Sequence, residues 1–161
     1  MPEHSLRART AVAGVGQSEY TKHGRSGRDV YQLAFSAILD ACADAGIAAE
    51  EIDGFCSFGG EACQPSRLAA ALGIRELRHA SIQWDGGGGG VCGALAQGAS
   101  AIVSGQAQCV VVFRSLAQGN GLRFGQALLF PALSGEHAHL APYGVLSPAQ
   151  MFTLKVTRFM H

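Results

Sequence analysis

The sequence predicts an α/β fold with a mostly parallel sheet and helices on its faces. Two observations indicate this class: apolar β-forming runs alternate with helix-like segments, and the composition is rich in residues that fold into a core. Of the 161 residues, 48% are hydrophobic and only 15% are charged, which is typical of a folded domain. The patterns follow the order β-α-β-α-β-α-β, and this order favours parallel strands joined by helices.

The first part of the chain predicts a strand and then an amphipathic helix. Residues 10–16 are a short apolar run, and the polar residues 17–27 after it are expected to form a loop. Asp29 stands where an N-cap or first-turn acid is preferred. Apolar residues then recur at spacings of three and four up to Gly46, so they predict a helix that this glycine ends.

The middle of the chain predicts three further strands and a short helix. Residues 54–58 form an apolar run that two glycines close. Residues 65–72 have a helical pattern that begins at a proline and stops at a glycine. Residues 79–84 predict the next strand, and the β-forming run at 109–113 predicts the last one.

Five glycines, Gly86 to Gly90, separate the strand at 79–84 from a helix of small residues that Gly105 is expected to end. We call residues 86–90 the glycine turn. Glycine allows a positive φ and a close approach of the backbone to a ligand. The start of a helix offers free N–H groups and a partial positive charge. The glycine turn is therefore the expected position of an active site.

Residues 115–146 break this regular pattern. We expect an irregular excursion there, and loops of this length are usually functional or disordered. Ser147 to Gln150 form a capping box with proline at the first helical position. They predict a last helix with an apolar face that requires a covering surface. The face contains Phe152, Val156, Phe159 and Met160.

Charge and cysteine content exclude several classes of function. Twelve basic and twelve acidic residues give a formal net charge of zero, which argues against a nucleic-acid partner. The five cysteines contain no C-x-x-C pair, which argues against structural zinc and a disulfide framework. No secretory signal pattern and no membrane-spanning segment is recognisable. We expect a cytoplasmic protein without a metal and without a covalently bound cofactor.

Several candidate site residues have more than one interpretation. Cys92 falls near the start of the glycine-led helix, where a thiolate is stabilised, so it is a candidate nucleophile or else a small buried residue. Arg114 and Arg123 flank the irregular excursion, where they would contact an anionic substrate such as a CoA phosphate or lie on the surface. In an extended loop, the side chains of His137 and His139 would lie on the same side. They would then serve as a base and a substrate contact, form a weak metal pair, or be solvated.

The spacing of Gly88, Gly90 and Gly93 matches the G-x-G-x-x-G pattern of dinucleotide-binding turns. Any run of five glycines produces this match easily. No acidic residue follows at the ribose position, and Arg114 at the end of the next strand would suit only a 2′-phosphate. A nucleotide-dependent oxidoreductase is therefore an alternative that rests on the motif alone.

The whole pattern resembles the N-terminal half of a thiolase-fold protein. It is most similar to the lipid-transfer-protein or acetyl-CoA acetyltransferase-like branch, close to sterol-carrier-protein thiolases. Some members of that branch act as retro-aldolases on steroid side-chain acyl-CoA thioesters. The resemblance implies an acyl-CoA substrate and a homodimer or a hetero-oligomer with a companion subunit. The residues that carry it are 12–20, 33–46, 52–54, 98–105 and 147–152.

Two departures from the family pattern shape what the resemblance implies. Thiolases place their nucleophilic cysteine at the start of the third helix, and counting back from Gly105 puts that position near Gly88, about one turn before Cys92. A glycine there suits aldolase-like members, which form no acyl-cysteine. The second half of the family domain, which supplies other catalytic groups, is not present in this sequence, so we expect either that the sequence is a truncated piece or that another chain supplies the rest.

The resemblance therefore implies cleavage or formation of a carbon–carbon bond next to a thioester, as in the degradation of a lipid or a steroid side chain. Gly87, Gly88, Gly89 and Gly90 would bind the thioester carbonyl through their backbone. Two alternatives stay open. The chain is a non-catalytic subunit that binds acyl-CoA or takes part in assembly, or it is a thiolase that uses Cys92.

Overall fold

The computed structural model describes residues 6–21, 26–84, 87–117 and 136–161, and the chain divides into two compact units, Met1–Ala117 and Gln118–His161. The regular elements of the first unit are helix α1 (Val30–Ala45), strand β1 (Gly54–Phe58), helix α2 (Pro65–Leu72), strand β2 (His79–Gln83), helix α3 (Gly90–Val103) and strand β3 (Val110–Val112). The second unit contains helices α4 (Glu136–Leu140) and α5 (Pro148–Met160).

Helix α1 begins and ends where the sequence predicts. The Asp29 carboxylate accepts the backbone N–H of Gln32 at 2.8 Å, and the Gln32 side chain accepts the backbone N–H of Asp29 at 3.0 Å. Gly46 adopts φ 69° and closes the helix in the left-handed conformation. The buried face of the helix consists of Ala34, Ile38 and Cys42. The capping signals are local in sequence, and a side-chain N-cap of this kind contributes about 1 kcal/mol.

The prediction of a strand at residues 10–16 is wrong for the described structure. This segment makes no strand pairing there. It lies along α1 so closely that a Cβ on Gly14 would be 2.4 Å, and one on Gly16 2.2 Å, from a carbonyl oxygen of that helix. The backbone N–H of Val15 donates to the Asp44 carboxylate at 2.9 Å. A helix side chain thus accepts a hydrogen bond that a neighbouring strand would otherwise accept.

The three strands of the first unit form a parallel sheet in the order β2-β1-β3. Strand β1 is central, with Gly54 opposite both His79 and Val110. This arrangement confirms the predicted parallel α/β sheet. Strand β3 is shorter than the β-forming run at 109–113 that predicted it.

Asp53 joins the entrances of the strands. Its carboxylate accepts the backbone N–H groups of Gln108 and Cys109 at 2.9 Å, and its backbone N–H donates to the Cys109 carbonyl at 3.0 Å. Its own carbonyl accepts the N–H of His79 at 3.1 Å. One residue before β1 therefore fixes the approach of the chain to both β2 and β3.

The two faces of the sheet are packed differently. On one face, α1 and α2 enclose a core around Phe55, Ile38 and Leu68, which are fully buried. Burying a side chain of this size contributes about 1.5–3 kcal/mol. On the other face, α3 approaches closely through small residues: Gly98 is buried, and a Cβ there would lie 3.3 Å from Val110 Cγ1.

In the second unit, α5 confirms the predicted N-cap and the proline at the first helical position but not the full capping box, because Gln150 Oε1 accepts the N–H of Leu146 and not that of Ser147. Ser147 is the N-cap, Pro148 is the first helical residue, and the Ser147 hydroxyl accepts the N–H of Gln150. The apolar face of this helix is exposed, with Phe159 at 92% and Phe152 at 64%. A short helix, α4, lies within the span that was expected to be irregular. Over the residues described, no helix has the length and apolar character to cross a membrane.

Candidate functional site

The glycine turn joins β2 to α3 at the carboxyl end of the sheet. Gly87 to Gly89 form one turn of 3-10 helix, and Gly90 is the first residue of α3. Ligand sites of open parallel sheets lie at this edge, and the first N–H groups of a helix have no partner within the helix. The freedom of glycine to adopt a positive φ is not used at these positions: Gly89 has φ −84°, and Gly88 to Gly90 are not among the described glycines with a positive φ.

The glycines of this region have two different structural roles. A Cβ on Gly90 would lie 2.7 Å from Phe58 Cδ2, and a Cβ on Gly93 would lie 2.9 Å from the side chain of Gln83, so packing requires glycine at both positions. Around Gly88 and Gly89, no described atom lies within 4 Å of the corresponding Cβ positions. The fold therefore does not require glycine at these two positions, and their backbone faces open space.

Phe58, at the end of the central strand, lies beneath the start of α3. Its ring contacts Gly90, and the guanidinium of Arg114 lies over the same ring at 5.0 Å from the centroid. Arg114 Nη1 also donates to the carbonyl oxygens of Phe58 and Gly59. Arg114 thus lies near the glycine turn, but this nitrogen is directed at the protein's own backbone. A contact of Arg114 with an anionic substrate stays a prediction.

A chain of polar side chains lies between β2 and α3. The Ser81 hydroxyl donates to Gln97 Oε1 at 2.8 Å and lies 3.1 Å from Cys56 Sγ, while Gln97 Nε2 donates to Gln83 Oε1 at 3.0 Å. Burial raises the pKa of the Cys56 thiol, and the hydrogen bond from Ser81 opposes this rise. The sequence analysis did not identify Ser81, Gln83 or Gln97. The polar alternation of Ser81 and Gln83 along a strand is the signal that would have placed them on one face.

An open groove of about 560 Å³ follows these side chains along β2 and α3. His79, the first residue of β2, lines the groove, and its Nδ1 atom is 3.2 Å from Gln106 Oε1. The Nε2 atom of His79 is buried and has no hydrogen-bond partner among the described atoms. Most of the lining surface comes from apolar atoms, although many of the lining residues have polar side chains: His79, Ser81, Gln83, Gln97, Ser100, Ser104 and Gln106, beside Gly93, Ala96 and Ala101.

Cys92 is exposed on α3, whereas the alternative interpretation placed it in the core. That alternative is wrong, and the role of Cys92 as a nucleophile stays a prediction. Cys42 and Cys56 are buried, as expected of core residues, and Cys109 is half-buried. Cys63 is also buried; desolvation raises the pKa of its thiol to about 12, with the Glu61 carboxylate adding to the effect. Of the five cysteines, Cys92 is thus the most exposed.

The remaining candidate residues lie outside the first unit. Arg123 lies outside the described residues. His137 and His139 belong to α4, so the premise of an extended loop is wrong, because positions two apart on a helix do not share a face. His139 is exposed. Over the described ranges, no group of three or more His, Cys, Asp or Glu residues is arranged to hold a metal ion.

Comparison with known proteins extends over nearly the whole chain. No protein-family model matches it. The chain is 35% identical over 161 residues to a steroid side-chain-cleaving aldolase of Thermomonospora curvata, and the match covers 97% of this chain and 40% of that protein. It is 32% identical over 162 residues to a 17-hydroxy-3-oxo-4-pregnene-20-carboxyl-CoA lyase of Mycobacterium tuberculosis, with 97% and 41% covered.

A solved structure supports the same comparison. The structure titled Ltp2-ChsH2(DUF35) aldolase superposes with a TM-score of 0.80 at 36% sequence identity, over 94% of this chain and 37% of that chain. The chain therefore spans about 40% of the length of the curated relatives that it matches.

Proposed function

Because the chain is a thiolase-superfamily half-domain of the steroid-aldolase kind, we propose that it is part of an enzyme that cleaves a carbon–carbon bond next to a CoA thioester. The substrate class is a hydroxylated acyl-CoA from a lipid or a steroid side chain. One structural observation carries the proposal for this chain: the backbone at Gly88 and Gly89 faces open space at the start of α3 although the fold does not require glycine there.

The proposed reaction is a retro-aldol cleavage. The hydroxyl group on the β-carbon loses its proton and becomes a carbonyl group, the bond between the α- and β-carbons breaks, and its electron pair passes to the thioester as an enolate. The enolate is then protonated at the α-carbon. Negative charge develops on the thioester oxygen, where preorganised N–H donors stabilise it, and removing one such donor typically lowers kcat about 10²- to 10³-fold.

The start of α3 supplies donors of this kind. The 3-10 turn Gly87–Gly89 leads directly into α3, so the N–H groups that have no partner within these helices include those at the start of the turn, and the helix dipole adds a partial positive charge there. A backbone without side chains at Gly88 and Gly89 lets a substituted thioester approach these groups closely. We assign Gly87 to Gly90 to this binding role.

We propose that the reaction forms no acyl-cysteine. Gly88 stands where the resemblance to thiolases places the nucleophile, and the exposed Cys92 lies about one helical turn further on. Replacing Cys92 with serine separates the two chemistries. If the reaction is the proposed retro-aldol cleavage, the Cys92→Ser variant should keep its turnover. If the chain is a thiolase that uses Cys92, the variant should lose it.

The direct test is turnover on a 17-hydroxy steroid CoA thioester and on a simple 3-hydroxyacyl-CoA. The chain is assayed alone and with a companion subunit, and mass spectrometry follows the ketone or aldehyde product together with the shortened acyl-CoA. Formation of both products in equal amounts supports the proposal. Binding of the thioester without turnover in either assay would favour the alternative, a non-catalytic acyl-CoA-binding subunit.

We further propose that the active form contains a second copy or a companion subunit in the cytoplasm. The exposed apolar face of α5 supports this proposal, because a face that includes Phe159 at 92% exposure is a typical contact surface. A sizing experiment with light scattering tests it. A stable monomer with full activity would contradict it.

A further inference from the structure

Phe58 determines where helix α3 begins. A Cβ on Gly90 would lie 2.7 Å from Cδ2 of the ring and 3.0 Å from both Cβ and Cγ of Phe58. The first residue of α3 therefore rests on this side chain with no intervening atom. Phe58 is also the last residue of the central strand β1, so its backbone is fixed by the sheet.

Arg114 holds both the backbone and the ring of Phe58. Its Nη1 donates to the carbonyl oxygens of Phe58 and Gly59, and its guanidinium carbon lies 5.0 Å from the centre of the Phe58 ring. This distance is within the range of a cation–π interaction. One nitrogen of the guanidinium donates to both carbonyls while its plane stacks on the ring, whereas a lysine ammonium has no plane to stack and approaches the ring as a point charge.

The backbone that carries Arg114 is itself anchored. The N–H of the next residue, Ser115, donates to Glu61 Oε2 at 2.8 Å, and the Ser115 hydroxyl donates to the Val30 carbonyl at 2.6 Å. Glu61 Oε1 also accepts the N–H of Cys63 at 2.8 Å. Ser115 is only 4% exposed. Arg114 therefore extends from a rigid point that connects the ends of β1 and β3 to the start of α1.

We propose that Arg114 is a positioning residue, which acts through Phe58 to fix the N–H groups at the start of α3. We call this pair the Arg114–Phe58 brace. Misplacement of a reacting group by about 1 Å can lower a rate about 10²-fold, so a brace beneath the donors controls catalysis without touching the substrate. The consequence for turnover rests on the proposed function, whereas the consequence for the helix start does not.

The first test measures hydrogen exchange in the complete protein without ligand. In Arg114→Lys, the amides of Ala94 and Leu95, the first that can bond within α3, should exchange about tenfold faster, while those of α2 keep their rates. Phe58→Leu should have the same local effect, and Phe58→Tyr should restore the original rates. Unchanged exchange at Ala94 and Leu95 in Arg114→Lys and Phe58→Leu, or an equal increase throughout the unit, would overturn the proposal.

A matched control is available in Arg67, whose guanidinium lies 5.8 Å from the ring centre of Tyr31 on the α1 and α2 side of the sheet. Arg67→Lys should leave exchange in α3 unchanged, because this pair does not contact the helix start.

The second test compares kcat with KM in the active assembly. Arg114→Lys should lower kcat at least tenfold with a smaller change in KM, and Arg67→Lys should change neither. A rise in KM alone, with normal exchange in α3, would instead make Arg114 a direct contact for an anionic substrate and would refute the brace. If no thioester is turned over at all, the proposed function fails, and the exchange experiment still decides the structural role.

Discussion

Alanine substitutions at two glycines of the same turn should change stability in opposite directions, and the one that does not destabilise the fold should lower activity. Gly88→Ala adds a methyl group where no described atom lies within 4 Å and where φ is not left-handed. Such a change usually stabilises a protein by about 0.4–1 kcal/mol, because it reduces the freedom of the unfolded chain. For a chain of this length that corresponds to a rise in Tm of about 1–4 °C.

Gly90→Ala places the same methyl group 2.7 Å from Phe58 Cδ2 and 3.0 Å from Phe58 Cβ. The ring can rotate away only partly, because its Cβ is attached to the central strand. Overpacking of this kind costs about 1–3 kcal/mol, so Tm should fall by about 2–12 °C. The two variants differ in sequence position by two residues, and one serves as the control for the other.

The assay combines thermal unfolding with turnover of the CoA thioester. In Gly88→Ala, the lyase rate should fall about 10²-fold or more, since a methyl group would separate the thioester oxygen from the donors that stabilise it, while the fold is unchanged or stabilised. The reasoning would be refuted if Gly88→Ala kept full activity, because the open backbone would then not be the substrate site. A loss of stability in Gly88→Ala equal to that in Gly90→Ala would contradict the structural distinction itself.

Three further predictions concern the fold and the thiols. Asp53→Ala should lower the free energy of unfolding by about 1–3 kcal/mol, because it leaves the N–H groups of Gln108 and Cys109 without their acceptor. Denaturant titration measures this change, and an unchanged unfolding midpoint would contradict the prediction. The fold raises the pKa of Cys63 from 9.0 to about 12, so the unfolded chain loses this proton at a lower pH than the folded chain. The contribution of Cys63 to the free energy of unfolding should therefore be full below pH 9 and should be lost between pH 9 and about 12. In a pH series of Tm values, Cys63→Ala should show a smaller decline over this range. Brief treatment with iodoacetamide at neutral pH should label the exposed Cys92 first and leave Cys63 unmodified, as peptide mapping would verify; fast labelling of Cys63 would disprove its burial.

The helices were predicted well because their signals are local. Asp29 and Gln32 bind each other across three residues, Gly46 alone closes α1, and the Ser147 hydroxyl accepts the N–H of Gln150. Each of these contacts is complete within one turn of chain, so the spacing of residue types is sufficient to identify it. The parallel order of the strands followed from their alternation with these helices.

The strand predicted at residues 10–16 shows where local signals fail. A strand exists only where a partner accepts its backbone hydrogen bonds, and the apolar pattern does not name the partner. In this chain, the N–H of Val15 is bound by the side chain of Asp44, which lies 29 residues away. The same limit applies to His137 and His139, whose predicted common face depended on an extended conformation that the chain does not adopt there.

The position of the candidate site followed from the glycines, whereas its supporting residues did not. Arg114 binds the carbonyl of Phe58 across 56 residues, and Ser115 reaches Glu61 across 54. Neither contact produces a periodic pattern of residue types from which it could be predicted. Arg114 was identified as a residue of interest because of its charge, but charge alone suggested a substrate contact and could not indicate that its nitrogen faces the chain's own carbonyls.

The consecutive glycines of the glycine turn differ in why glycine is present at each position. Gly90 is glycine because Phe58 occupies the space of a side chain, while at Gly88 and Gly89 no described atom occupies that space. A packing requirement cannot explain an empty position, and a left-handed backbone, the other common reason for glycine, is not present there. The proposed function supplies a third physical reason, the close approach of a substrate to the backbone. Among the described residues nothing would clash with a cysteine at Gly88, so the described packing does not by itself account for the lack of a nucleophile at this position.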